Sequence, residues 1–146
     1  MNGKHKITSI AAATALALLS GCTTLQEMAD SKTVTQPAGV ELMGEAELRQ
    51  ALVGNTYGGD SVTYPGNTYI EFINPDGTIH GLWNGTDRYK GSWAVSGQVW
   101  CYKYKRGPGC NTLAKQGDTI YWYSLDGTTK GGISILSAGD PKNLNQ

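Results

Sequence analysis

From Asn55 onward, apolar and polar residues alternate in short runs, and each run stops at turn-forming residues. Thr68–Ile73 leads into Asn74-Pro75-Asp76-Gly77, Thr78–Trp83 into Asn84-Gly85, and Arg88–Val95 into Ser96-Gly97. Val99–Tyr104 stops at Arg106-Gly107-Pro108-Gly109, Cys110–Ala114 at Gln116-Gly117-Asp118, and Thr119–Ser124 at Asp126-Gly127. Ile133–Leu136 is the last run, and a weaker strand is expected at Thr56-Tyr57 or at Ser61–Tyr64. Period-two alternation with turn signals about every 8–12 residues predicts an antiparallel all-β meander. Closure removes exposed strand edges, so the expected fold is a small up-and-down β-barrel of about 7–8 strands. The alternative is a two-sheet β-sandwich.

One helix is expected ahead of the strands. In Glu45–Val53, Leu48, Ala51 and Leu52 share a face and Gly54 can end the helix. So short a helix is not stable alone and must dock on the domain. Residues 23–43 are mixed and polar, with Pro37 and Gly39, and read as a flexible tether. The barrel domain is then expected over 44–140, with a short C-terminal tail over 141–146.

Alternation assigns faces to the strands. Ile70 and Phe72 point one way, Tyr69 and Glu71 the other. Ile79 and Trp83 are expected inside and His80 outside, while Trp93 and Val95 oppose Arg88 and Lys90. Trp100, Tyr102 and Tyr104 oppose Cys101, Lys103 and Lys105, and Leu113 opposes Cys110. Both cysteines therefore fall on the outer face of adjacent strands, which suits a disulfide. The inward set contains Trp83, Trp93, Trp100, Tyr102, Tyr104 and Trp122. Two readings follow: a cavity lined for a small apolar or ring-bearing ligand, or a barrel filled by its own side chains.

Charge changes the picture in one window. Between Asp87 and Asp118 the basic residues Arg88, Lys90, Lys103, Lys105, Arg106 and Lys115 occur with no acid among them. They read either as a basic surface for an anionic partner or as an ordinary solvated face. The whole chain has 12 basic and 12 acidic residues, which argues against a general nucleic-acid binder.

The N-terminus carries an address. Lys4, His5 and Lys6 precede an apolar run from Ile7 to Leu19, 13 residues and too short to span a bilayer at ~20 residues. The run ends in Leu19-Ser20-Gly21-Cys22, which resembles the lipobox of bacterial lipoproteins. The alternative is an ordinary secretory signal. The lipobox resemblance implies removal of residues 1–21, lipid on Cys22, and a lipid-anchored protein of the cell envelope. Thr23 after the Cys implies the outer membrane, facing the periplasm. The mature chain would then lose Lys4 and Lys6, leaving 10 basic residues against 12 acidic, a net charge of about −2. With Cys22 lipidated, Cys101 and Cys110 remain as a pair, oxidised outside the cytosol.

Chemistry beyond that is sparse. The chain has no Gly-x-Ser-x-Gly, His-Glu-x-x-His or phosphate loop, and a mature chain would keep only His80. Glu71 and Asp76 are the nearest thing to paired carboxylates, but Asp76 sits where a turn favours Asp. No catalytic residue, metal or cofactor is expected.

Several short stretches are similar to small exported β-domains of Gram-negative bacteria. They are Leu52-Val53-Gly54-Asn55-Thr56, Asn74-Pro75-Asp76-Gly77, Gly91-Ser92-Trp93, the two spaced cysteines, and Gly139–Leu144. The resemblance implies export and a β fold but no activity. The same architecture looks like envelope inhibitors of lysozyme or proteases, without their inhibitory loop residues. The expected function is a lipid-anchored interaction module, with its basic face toward an anionic envelope polymer or an envelope protein. The alternatives are a lipocalin-like carrier of a small apolar ligand and a periplasmic inhibitor.

Overall fold

The computed structural model describes residues 23–146; the expected signal and the lipobox-like run Leu19–Cys22 lie outside them. The eight strands are β1 (Thr56–Asp60), β2 (Thr68–Ile73), β3 (Thr78–Trp83), β4 (Asp87–Ser96), β5 (Val99–Tyr104), β6 (Gly107–Gln116), β7 (Thr119–Tyr123) and β8 (Lys130–Ser137). Each pairs antiparallel with the next, and β8 pairs with β1, so the sheet closes as an up-and-down barrel. The sandwich alternative is excluded by that closure. Of the two sites offered for the weaker strand, Thr56-Tyr57 lies in β1, while Ser61–Tyr64 belongs to the β1–β2 loop.

Turn chemistry sets the hairpins. Between β3 and β4, Asn84 and Gly85 both take positive φ (51° and 75°), a region that Asn and Gly reach at little cost. The turn expected across Arg106–Gly109 is shorter, because β6 already begins at Gly107, opposite Tyr104. Pro108 thus lies inside a strand. It is tolerated because β6 acquires its β7 partner only from Thr112 onward.

Two helices sit outside the sheet. Helix α2 (Glu45–Leu52) forms where the sequence predicts it and buries Leu48 and Leu52 completely. With Met43 it packs on Ile73, Ile79, Val95, Trp100, Leu113 and Ile120, closing the barrel end that carries the β2–β3, β4–β5 and β6–β7 turns. Helix α1 (Leu25–Asp30) corrects the reading of 23–43 as a flexible tether. Thr24 and Glu27 form a capping box at its start. Ala29 is buried with Ala94, Val99 and Cys101 on the outside of β4 and β5, and Val34 and Leu125 pack around them. The chain then runs on toward the opposite end, where the Thr35 amide donates to the Leu125 carbonyl at 2.8 Å.

Cys101 and Cys110 are directly opposed on the outer face and bonded, with Cα atoms 4.1 Å apart. The C-terminal tail also returns to the barrel. Leu144 is buried, and its carbonyl meets His80 Nδ1 at 3.2 Å and Arg88 Nη1 at 3.4 Å on the outside of β3 and β4.

Candidate functional site: a tyrosine-lined cavity with a buried carboxylate

The end of the barrel opposite α2 is open. It carries the β1–β2, β3–β4, β5–β6 and β7–β8 loops and leads into a cavity of about 670 Å³. Small-molecule sites commonly occupy ~300–1,000 Å³. The walls include Tyr57, Tyr69, Glu71, Tyr89, Tyr102, Tyr104 and Trp122, with Trp83 and Tyr64 nearer the mouth.

Strand parity builds these walls. Register pairs Tyr57 with Glu71, Glu71 with Gly81, and Gly81 with Tyr89, so all four positions share the inner face of β1 to β4. Inward glycines make room for the rings. A Cβ on Gly81 would lie 2.3 Å from the Tyr89 ring, and one on Gly109 would lie 2.7 Å from the Tyr102 ring. Gly91 does the same beneath Tyr104, at 2.6 Å. Each of these tyrosines lies across a glycine on a neighbouring strand, covering backbone that the glycine leaves bare. Gly131 and Gly132 occupy a register shift opposite Trp122, a β-bulge in β8.

Glu71 organises the interior. It is only 4% exposed, yet three phenols donate to it: Tyr57 to Oε2, and Tyr89 and Tyr104 to Oε1, each at 2.6 Å. Burial holds its carboxyl above the usual carboxylate range, while the three phenol hydrogen bonds pull the other way and offset part of the shift. The phenols respond in kind. Burial, then the nearby Glu71 charge, pushes Tyr57, Tyr89 and Tyr104 well up. Tyr69 is pushed up to about 12, mainly by burial. Its hydroxyl is 2.7 Å from Ser134 Oγ, which also accepts from Trp122 Nε1 at 2.8 Å. The Tyr102 hydroxyl donates to Asn111 Oδ1 at 3.2 Å. The rings themselves pack edge to face or tilted, as Tyr89 on Tyr104 at 5.7 Å and Tyr57 on Trp122 at 5.4 Å.

The mouth is mixed in charge. Arg88, Lys90, Lys105 and Arg106 stand there with Asp60 and Asp87. Tyr64, from the β1–β2 loop, meets the Trp83 ring edge-on at 5.8 Å, and the Arg106 guanidinium lies 4.7 Å above the Tyr64 ring. Three separate loops or strand ends thus touch across one lip.

The residues singled out in the sequence divide between locations. Trp83, Tyr102, Tyr104 and Trp122 line the cavity, whereas Trp93 and Trp100 do not. Those two stack at 5.0 Å in the closed half, where α2 and the turns leave no opening. Of the six basic residues, Lys103 projects from the outer face of β5, and Arg88, Lys90, Lys105 and Arg106 gather near the rim. Lys115 stands apart beside the β6–β7 turn, at the α2 end, so the six do not form one surface. Tyr57, Tyr69, Glu71, Tyr89 and Asn111 line the cavity too, beyond the residues that the sequence singles out. Parity was the available signal: Tyr89 alternates with outward Arg88 and Lys90, so it faces inward with Trp93.

No family model, no curated protein and no solved structure matches this chain.

Proposed function

We propose that this protein is an envelope binding module that holds a small ring-compatible molecule in the open half of its barrel, anchored by lipid on Cys22. The carrying observation is the cavity of about 670 Å³ with its tyrosine and tryptophan walls, open at one end only. Aromatic walls with a few fixed polar groups suit an orienting ligand site. The reading of a basic face as the principal contact has less support, because Lys115 lies at the opposite end from the rim residues. The rim cations instead belong to the mouth through which a ligand would pass.

The test is native mass spectrometry of protein purified gently from envelopes, beside an Asn111→Trp variant. Asn111 lines the cavity beside Tyr102, and an indole there would take up part of its volume. A co-purifying small molecule carried by the parent protein and lost in the variant supports the reading. A ligand held equally by both contradicts it. The anchor has its own test: Cys22→Ala should release the protein from the membrane fraction or leave it unprocessed. Unchanged processing and fractionation would remove the lipid from the account.

A further inference from the structure

Resting on that cavity reading, we propose that the bound molecule is an organic cation, its quaternary or protonated amine seated among the tyrosine rings next to Glu71. Four observations converge on this class.

First, Glu71 is a buried acid with no basic partner. The one salt bridge among the described residues joins Arg49 to Glu45 on the surface of α2, far from the cavity. Second, its hydrogen-bonding capacity is incompletely used. A carboxylate offers about four acceptor positions, and the phenols of Tyr57, Tyr89 and Tyr104 take three, leaving one on Oε2. Third, the surroundings are ring faces and edges, and the negative faces of tyrosine and tryptophan attract cations. Fourth, the interior has little to offer an anion. The hydroxyls of Tyr57, Tyr89 and Tyr104 donate to Glu71, that of Tyr102 to Asn111, and Trp122 Nε1 to Ser134, while Tyr69 and Ser134 share one hydrogen bond between their hydroxyls. An anion entering would meet the carboxylate and the π faces, both repulsive to it.

The rim bases do not overturn this preference. Arg88, Lys90, Lys105 and Arg106 are accompanied by Asp60 and Asp87. Rim charges exposed to solvent are screened over ~8 Å at physiological ionic strength, whereas a buried carboxylate is screened far less.

The experiment is calorimetric titration of the purified protein with three probes: choline, its neutral isostere 3,3-dimethyl-1-butanol, and benzoate. Choline and the isostere share shape and differ in charge, so their comparison needs no mutation. Choline should bind about tenfold or more tighter than the isostere, as a desolvated cation–π and carboxylate contact implies, and benzoate should be weakest. In Glu71→Gln, choline should fall to the level of the isostere. Equal or tighter binding of the isostere or of benzoate would overturn the cation proposal while leaving the cavity reading intact. Failure of all three probes would overturn the cation proposal too, and the cavity reading would then stand or fall on the co-purified ligand alone.

Discussion

The two halves of this barrel use aromatic residues in opposite ways. In the closed half, Trp93 and Trp100 stack at 5.0 Å beneath α2, and Leu48, Leu52, Ile73, Ile79, Leu113 and Ile120 are fully buried around them. In the open half, tyrosines cross inward glycines and turn their hydroxyls onto Glu71, leaving a cavity. Rings packed on aliphatic side chains make a core. Rings tied by their hydroxyls to one another's acceptors make a wall that stands without filling the space behind it. The packed core is therefore concentrated at the α2 end, and the open volume at the other.

The largest effect should come from breaking the plug. Leu48→Ala removes a fully buried side chain and should cost about 2–5 kcal/mol in urea denaturation, with the cavity walls intact. Next comes the outer staple. The Cys101–Cys110 bond closes a loop of about ten residues, so Cys110→Ser should cost roughly 2.7 kcal/mol. Wild-type protein that titrates two free thiols when denatured without reductant would contradict that bond. Gly81→Ala probes the wall itself: its methyl would overlap the Tyr89 ring, which cannot swing aside without losing Glu71. Overpacking of this kind costs about 1–3 kcal/mol. A neutral or stabilising outcome would show that Tyr89 is not held as described.

Acidity probes the buried carboxylate of the open half. Glu71 has a raised carboxyl pKa through burial, so the folded chain holds that proton more tightly than the unfolded chain. The stability it confers is complete below the ordinary carboxylate value of about 4.3 and is lost as pH rises through its raised folded value. Denaturation midpoints of the parent protein should therefore decline over that interval, and those of Glu71→Gln should lack this component. Identical pH profiles would contradict the burial of an ionisable Glu71. The smallest effect belongs to the mouth. Arg106→Ala removes a partly solvated guanidinium over Tyr64, worth about 0.5–1 kcal/mol at an exposed site.

Much of the closed half was legible in the sequence, because it follows simple periodicity. Alternation placed Trp100 and Leu113 inside and Cys101 and Cys110 outside, and the helical face of Leu48 and Leu52 marked α2. The open half was harder to read. Inward parity gave Trp83, Tyr102, Tyr104 and Trp122, but it does not distinguish a ring that fills space from one that borders it. That distinction rests on which glycines lie across the barrel and on which acid collects the hydroxyls, both set by pairing between strands. Glu71 illustrates the difficulty, since a lone acid among β-formers ordinarily faces solvent. Helix α1 carries a signal of its own, the Thr24-x-x-Glu27 capping box, within a stretch whose composition resembles a linker.

The four tryptophans allow the division to be tested in one measurement. Two border the cavity (Trp83 and Trp122) and two lie in the closed half (Trp93 and Trp100). In a ¹⁵N-resolved spectrum each indole N–H gives its own signal. Titration with choline should shift the Trp83 and Trp122 signals and leave those of Trp93 and Trp100 in place. Shifts confined to Trp93 and Trp100 would contradict a ligand site in the open half of the barrel, and no shift in any of the four would contradict choline as its occupant.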